Sequence, residues 1–166
     1  MFFKNQQGNL IKPKNLIDTY CGSGFFGISL SDNFAKIIGI EISREGYLSS
    51  IENARLNNLQ NAKFVLGSAE NIFKSHELNV NPAESVVIMD PSRKGSNLSF
   101  MKQLSNFKPS LIIYISCNVF TQARDLYSFF EKTENGHCYK IREIKGIDFF
   151  PQTRHVESVA ILELKD

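Results

Sequence analysis

A cysteine and an asparagine stand at the end of a strongly apolar run in this 166-residue chain. Cys117 and Asn118 follow Leu111–Ile115, a run typical of a buried strand, after a single serine. A thiol between the end of a strand and the start of a helix lies near the positive end of the helix dipole. This position lowers the pKa of the thiol and favours the nucleophilic thiolate. The pattern therefore indicates a nucleophile, although a lone cysteine is more often an inert core residue.

Two glycines lie close together in the segment Asp18–Gly24, which reads Asp-Thr-Tyr-Cys-Gly-Ser-Gly. Gly22 and Gly24 allow a sharp turn between a strand and a helix and a close approach of the backbone to a ligand. Glu41 follows at about the spacing at which an acidic side chain accepts hydrogen bonds from ribose hydroxyls. Either feature alone is common without a ligand, but together they predict a nucleoside site.

The residues after the second glycine bear on which nucleoside is bound. Gly27 falls three residues after Gly24, as in a dinucleotide-binding turn, but the bulky Phe25 and Phe26 lie between the two glycines. We therefore expect S-adenosylmethionine rather than a dinucleotide.

Two later segments also place polar residues beside apolar runs. Asp90 ends the run Ser85–Met89 and precedes Pro91, which stiffens the turn so that the carboxylate can face a ligand. An Asp-Pro pair is equally common as a simple turn starter. The segment Phe150–Glu157 brings a histidine and a carboxylate to the start of the last apolar run. Ligand sites of open α/β sheets lie outside the carboxyl ends of the strands, so we expect these segments to meet there.

The elements that position these residues follow from the apolar pattern. Short, mostly continuous apolar runs predict strands that are covered on both faces, as in a parallel sheet; they are Asn15–Tyr20, Lys36–Ile40, Ala62–Leu66, Ser85–Met89 and Leu111–Ile115. Helical spacing predicts helices at Ser43–Asn57, with Ser43 as N-cap, and around Thr121–Phe130. Beyond Asn135–Gly136, the runs Tyr139–Lys145 and Ser158–Leu164 predict an antiparallel hairpin. The expected fold is a doubly wound, Rossmann-like α/β sheet, mostly parallel, in one domain of residues 1–166.

Composition limits the classes of function. The net charge of +2 gives no electrostatic reason to expect a polyanionic partner, so any RNA interaction must be inferred from the site. The three cysteines, Cys21, Cys117 and Cys138, form no CxxC pair, which argues against a disulfide framework and a structural zinc site. No apolar run approaches the ~18 residues of a membrane span, and the first residues lack a signal-peptide pattern. We expect an intracellular monomer without metal or membrane attachment, its compartment among cytoplasm, nucleus and mitochondrion unresolved.

Three further stretches support a resemblance to a known family. They are Tyr114–Asn118, Gln122–Leu126 and Asp148–Glu157, in this order and with the glycine turn ahead of them. The chain resembles the RNA (uracil-5-)-methyltransferase family, and within it the tRNA-modifying fungal-type branch, from Phe2 to Leu164. This resemblance implies a catalytic domain that methylates carbon 5 of a uridine in RNA, the T-loop uridine of tRNA above others, with S-adenosylmethionine as methyl donor.

The resemblance also implies roles for individual residues. Cys117 corresponds to the nucleophile and Glu157 to the general base, with His155 as the alternative base. Carbon 5 of uracil becomes nucleophilic only after addition at carbon 6, which suits a thiolate, and a base must then remove the carbon 5 proton. The implied cofactor-binding or uracil-binding residues are Lys4, Tyr20, Gly22, Phe25, Glu41 and Asp90; the implied substrate-binding residues are Arg93, Asn118 and His155. Basic side chains near the strand ends are candidates for phosphate contacts: Arg93, Lys94, Arg124 and Arg154.

The sequence departs from the family pattern at three positions. Lys4 stands in place of a glutamine, Ser92 in place of a second proline, and Val119 in place of a proline that the fungal-type branch also lacks. A lysine only donates hydrogen bonds and repels the sulfonium, so weaker cofactor binding is expected. Many family members carry an RNA-binding region ahead of the segment that resembles Phe2–Asn5, and we expect this chain to lack it. Two alternatives therefore stay open: an impaired S-adenosylmethionine-binding remnant or partner-binding protein, and a methyltransferase for small molecules or exocyclic amines.

Overall fold

The computed structural model describes residues 12–73 and 78–165, together with the backbone of residues 3–4 and 10–11. Seven of its strands form one sheet, and two short strands, β1 (Phe3–Lys4) and β2 (Leu10–Ile11), pair with each other. The sheet strands are β3 (Asn15–Asp18), β4 (Lys36–Glu41), β5 (Ala62–Leu66), β6 (Ser85–Met89), β7 (Leu111–Ser116), β8 (Tyr139–Ile147) and β9 (Glu157–Leu164). The helices are α1 (Phe25–Ser29), α2 (Arg44–Leu56), α3 (Ala69–Ile72), α4 (Leu98–Phe107) and α5 (Val119–Lys132).

The strand order in the sheet is β5-β4-β3-β6-β7-β9-β8. Strands β3 to β7 pair in parallel, and β9 pairs antiparallel with both β7 and β8. The order turns around between β3 and β6, because the chain first extends the sheet through β4 and β5 and then returns to the other side of β3. Such a switch point is where open α/β sheets bind ligands. The predicted mostly parallel sheet with an antiparallel C-terminal hairpin is confirmed.

Side-chain caps explain where the longer helices begin. The Ser43 hydroxyl accepts a hydrogen bond from the N–H of Gly46, as predicted for the N-cap of α2. Asn97 caps α4 by accepting from the N–H of Phe100, and Asn118 caps α5. Each cap satisfies a backbone donor that has no partner within the first helical turn.

The core lies on both faces of the sheet, as the continuous apolar strands predict. On one face, α4 and α5 cover β6 and β7, with Phe100, Leu104 and Phe129 packed among the buried strand residues. On the other face, Leu16 and Ile37 lie in a second cluster, with Phe26 of α1 packed against it. Strands buried in this way are rigid supports for the loops at their ends.

Two further observations concern residues 12–73 and 78–165. No helix there combines the length and apolar character that crossing a bilayer requires. Nor does that part of the chain hold a group of three or more His, Cys, Asp or Glu residues able to bind a metal ion.

Candidate active site

The predicted polar segments meet at one edge of the sheet. Strands β3, β4, β6 and β7 end at this edge because they run in parallel, and the antiparallel β9 begins there. Ser116, the last residue of β7, pairs with Ser158 of β9. Cys117 and Glu157 are therefore the next residues outward on two neighbouring strands. The register thus brings the predicted nucleophile and the predicted base to adjacent positions.

The glycine turn is held by the carboxylate of Glu41. The N–H of Gly22 donates to Glu41 Oε2 at 2.9 Å, and the N–H of Ser43 donates to Oε1 at 2.7 Å. Gly22 and Gly24 have φ values of 52° and 87°, in the left-handed region that favours glycine. A side chain added at Gly22 would meet no atom within 4 Å, so this side of the turn is open. Glu41 is therefore both a support of the turn and the acidic group beside an open space.

Gly27 packs α1 closely against the sheet. A Cβ added to it would lie 3.0 Å from the Cγ2 of Ile37 on β4. Close helix–strand packing is the role of the third glycine in a dinucleotide-binding turn, so Gly27 does not distinguish the two ligand classes. Phe25, at the start of the same helix, exposes 67% of its surface. It is available for contact with a ligand.

Asp18 is a buried carboxylate directly below the glycine turn. It is fully buried, and neither carboxylate oxygen has a hydrogen-bond partner of normal geometry within the described residues. Burial, with smaller contributions from the negative charges of Asp90 and Glu41, raises its pKa to about 7. The backbone N–H groups of Tyr20 and Gly27 approach closely enough to offset only a part of this effect. Asp18 therefore keeps its proton at pH values at which an exposed aspartate has lost it.

Asp90 and Glu157 are two further carboxylates of the site, close enough for their charges to interact. Burial, together with the negative charge of Glu157, raises the pKa of Asp90 to about 6. Glu157 is half-buried, and its Oε2 atom is buried without a hydrogen-bond partner in the part of the chain that the structure describes. A carboxylate oxygen without a donor is ready to accept a proton from a ligand.

The three cysteines differ in their surroundings. Cys21 is buried within the glycine turn, and burial raises the pKa of its thiol, so it stays protonated and unreactive. Cys117 is half-buried at the lip of the sheet, one residue before the N-cap of α5, and carries a free thiol. Cys138 is also a free thiol, but it lies at the start of β8, at the opposite edge. Cys117 is thus the cysteine that lies at the candidate site with its side chain partly exposed.

Asn118 ties the Cys117 strand end to the loop that follows Asp90. Its Oδ1 accepts from the N–H groups of Phe120 and Thr121, and its Nδ2 donates to the carbonyl of Arg93 at 3.2 Å. The Thr121 hydroxyl donates to the same carbonyl. The described contacts of Asn118 therefore hold the site together, whereas a contact with substrate remains a prediction.

A buried aspartate whose role no local sequence pattern predicts holds the same loop in place. Asp125 Oδ2 accepts from the Tyr114 hydroxyl at 2.7 Å and from the Ser96 N–H at 2.6 Å. Its Oδ1 accepts from Nε and Nη2 of Arg124, whose Nη2 also donates to the Lys94 carbonyl. Arg124 is consequently engaged in structural contacts. The sequence signal for this network is the stretch Gln122–Leu126, which contributed only to the resemblance.

Gln122 joins the two strands that carry the candidate catalytic residues. Its buried amide donates to the carbonyl of Tyr114 on β7 at 2.9 Å and to that of Ser158 on β9 at 3.3 Å. Its Oε1 accepts from the Ser158 hydroxyl at 2.6 Å. This side chain therefore secures β7 three residues before Cys117 and β9 one residue after Glu157.

Of the remaining predicted site residues, the structure describes Tyr20, His155 and Arg93. The Tyr20 hydroxyl pairs with the Ser96 hydroxyl at 2.8 Å, and burial raises the pKa of Tyr20 to about 12. His155 is exposed, and its ring lies edge-on to that of Phe150. Arg93 is exposed. The side chain of Lys4 lies outside the described residues.

The sheet order and the strand-end site define this chain as a Rossmann-like methyltransferase fold. Residues 6–165 match the tRNA (Uracil-5-)-methyltransferase family. The chain therefore belongs to the tRNA (uracil-5-)-methyltransferase family.

Individual relatives agree with this family. The tRNA (uracil(54)-C(5))-methyltransferases of Saccharomyces cerevisiae and Schizosaccharomyces pombe are each 48% identical to it, over 95% and 91% of this chain. A crystal structure of the Pyrococcus abyssi tRNA (uracil-54, C5)-methyltransferase in complex with S-adenosyl-L-homocysteine matches 92% of the chain and 35% of its own, at 32% identity and a TM-score of 0.74. The chain spans only 24% and 28% of the two yeast relatives.

Proposed function

We propose that this chain transfers a methyl group from S-adenosylmethionine to carbon 5 of a uridine in tRNA, with Cys117 as covalent nucleophile. The observation that carries this proposal is the neighbouring position of a free, half-buried thiol and a carboxylate oxygen without a partner. The thiol belongs to Cys117 at the end of β7, and the carboxylate to Glu157 at the start of the adjacent β9. The uridine substrate is proposed from the names of the yeast and archaeal relatives.

The residues at the end of β3 and β4 fit S-adenosylmethionine. The open space at Gly22 leaves room for a ligand beside Glu41, whose carboxylate has lone pairs left for ribose hydroxyls after accepting two backbone N–H groups. The negative charge of Glu41 and Asp90 also suits a sulfonium. When bound, S-adenosylmethionine supplies the methyl group and leaves as S-adenosylhomocysteine, the product held by the archaeal relative.

Each proposed step uses one of this chain's side chains. The Cys117 thiolate forms a bond to carbon 6 of the uracil ring, which moves electron density to carbon 5 so that it takes up the methyl group. Carbon 5 then bears both a methyl group and a proton. Glu157 accepts this proton, the carbon 5–carbon 6 double bond re-forms, and the sulfur–carbon bond breaks to release the Cys117 thiolate. Glu157 fits the role of base better than the exposed His155, because its Oε2 is buried and without a donor.

The proposed roles of Cys117 and Glu157 can be distinguished by the effect of each substitution on a covalent protein–RNA adduct. With tRNA and methyl-labelled S-adenosylmethionine, Cys117→Ala should give neither methylated RNA nor adduct. Glu157→Gln should form the adduct and carry out methyl transfer but lack the proton acceptor, so that a labelled, denaturation-resistant protein–RNA band accumulates. Cys21→Ala would disturb a buried site, so Cys138→Ser is the matched cysteine control and should behave as wild type.

Three outcomes would contradict the proposal in different ways. Normal turnover by Glu157→Gln together with adduct accumulation by His155→Ala would transfer the role of base to His155. Methylation that survives Cys117→Ala would favour a non-covalent mechanism on another acceptor. Binding of S-adenosylmethionine without methylation of any tRNA would identify the chain as a cofactor-binding remnant.

A further inference from the structure

We propose that Phe120, Phe149 and Phe150 form an RNA-binding surface on which unpaired bases beside the target uridine stack. This inference rests on the proposed function and specifies how the substrate is held. The three side chains, here called the aromatic rim, expose 84%, 62% and 54% of their surface. Other phenylalanines of the chain, such as Phe100 and Phe129, are buried in the core.

The aromatic rim lies at the same edge of the sheet as the candidate active site. Phe120 is in the first turn of α5, three residues after Cys117. Phe149 and Phe150 lie in the connection between β8 and β9, which leads directly into Glu157. Because β9 begins beside the end of β7, both parts of the rim flank the two candidate catalytic residues. The aromatic rim is therefore placed to contact an RNA chain whose base reaches Cys117.

Contacts within the described part of the chain leave these three rings mostly uncovered. Phe150 has its ring edge-on to that of His155, with ring centroids 6.4 Å apart, and this is the one ring contact recorded for the rim in the described part of the chain. Single exposed apolar residues are ordinary, but several at the edge of a functional site mark an interaction surface. The backbone around Phe150 is ordered by its own turn, since its N–H donates to Asp148 Oδ1 and its carbonyl accepts from the Thr153 hydroxyl. The rings are thus presented from a fixed support.

The charges beside the rim favour RNA over an apolar protein partner. Arg93, Lys94 and Arg154 are exposed, and within residues 12–73 and 78–165 none of them forms an ion pair. Arg124 differs, because Asp125 neutralises it. Aromatic rings interspersed with unpaired cations are the composition of surfaces that bind single-stranded nucleic acid, whereas the centres of protein interfaces are poor in charge.

The experiment compares substitutions that keep or remove the ring. Phe120→Leu keeps an apolar side chain but cannot stack, so we expect the dissociation constant for tRNA to rise on the order of tenfold. Phe120→Tyr keeps the ring and should bind tRNA within about twofold of wild type. Phe149→Leu/Phe150→Leu should weaken binding at least as much as Phe120→Leu. Tyr127→Leu is the matched control, since Tyr127 is an exposed aromatic residue of the same helix two turns further on, and it should bind as wild type.

Salt dependence separates stacking from phosphate contacts. Phe120→Leu should leave the slope of log K against log salt unchanged, whereas Arg154→Ala should make it shallower by about one unit. Unchanged tRNA binding by Phe120→Leu and by Phe149→Leu/Phe150→Leu, in a wild-type protein that methylates tRNA, would overturn the inference. So would loss of a concentration-dependent dimer in these variants, because the rim would then bind a second copy. Failure of wild type to methylate tRNA would instead contradict the proposed function.

Discussion

Substituting Asp18 by asparagine should make the stability of this protein less dependent on pH. Asp18 ends the central strand β3, is fully buried, and has no normal hydrogen bond to its carboxylate oxygens within the described residues. Burial raises its pKa from 3.8 to about 7. The folded protein therefore holds a proton on Asp18 at pH values at which the unfolded chain has lost it.

The sign and the size follow from proton linkage. Since the pKa is higher in the folded state, the contribution of Asp18 to the free energy of unfolding is greatest below about pH 4 and is lost as the pH rises to about 7. A rise of about 3 pKa units corresponds to ~4 kcal/mol of stability lost over this range. Asparagine has a similar shape and no charge, so Asp18→Asn should remove this fall. Its amide group needs an acceptor, which offsets the gain by about 1–3 kcal/mol.

Urea unfolding followed by circular dichroism at pH 5, 6, 7 and 8 measures the effect. Asp18→Asn should gain stability relative to wild type as the pH rises, and the difference should level off above pH 7. Asp90 contributes a fall in the same direction in both proteins, because burial raises its pKa to about 6. Asp32→Asn, at an exposed position, controls for the change in net charge. Parallel curves for wild type and Asp18→Asn across this range would refute the reasoning, since the carboxylate would then be hydrated or paired.

Three further predictions concern the cofactor site and the support beneath it. Glu41→Ala should weaken S-adenosylmethionine binding by about 1–3 kcal/mol, roughly a 5- to 150-fold rise in Kd, and an unchanged Kd by calorimetry would remove Glu41 from the site. Gln122→Ala should lower the free energy of unfolding by about 2–4 kcal/mol, because it leaves buried groups of Tyr114 and Ser158 without partners. The partly exposed Gln103→Ala is its control, and a loss below about 1 kcal/mol for Gln122→Ala would contradict the prediction. Lys4→Gln should tighten S-adenosylmethionine binding by removing a charge next to the sulfonium; equal or weaker binding in the same titration would mean that Lys4 does not occupy the glutamine position.

Local sequence patterns predicted most of the sheet. The strands predicted at Ala62–Leu66 and Ser85–Met89 have the observed bounds, because a continuous apolar run ends where polar turn residues begin. The helix predicted at Ser43–Asn57 forms over Arg44–Leu56 with Ser43 as its cap. The apolar pattern gave no prediction of the bounds of helix α4, although Asn97 is its N-cap.

The order in which distant strands pair was harder to predict from the sequence. The sequence predicted a C-terminal hairpin, but only the structure places its second strand, β9, between β7 and β8. This order decides the site, because it puts Glu157 rather than the start of the hairpin beside Cys117. Hydrogen bonds between strands are satisfied in several alternative orders, and the choice among them depends on how the whole sheet packs against its helices.

Local sequence patterns are enough to predict the types of group at the site, since a thiol, carboxylates and a glycine turn follow recognisable apolar runs. Which of these groups interact depends on the folded arrangement of the strands. It pairs Glu41 with the N–H of Gly22, brings Glu157 close enough to raise the pKa of Asp90, and buries Gln122 and Asp125 as supports. The physical reason is that residue type and local spacing specify secondary structure, whereas burial, desolvation and charge interactions depend on neighbours that are distant in the chain.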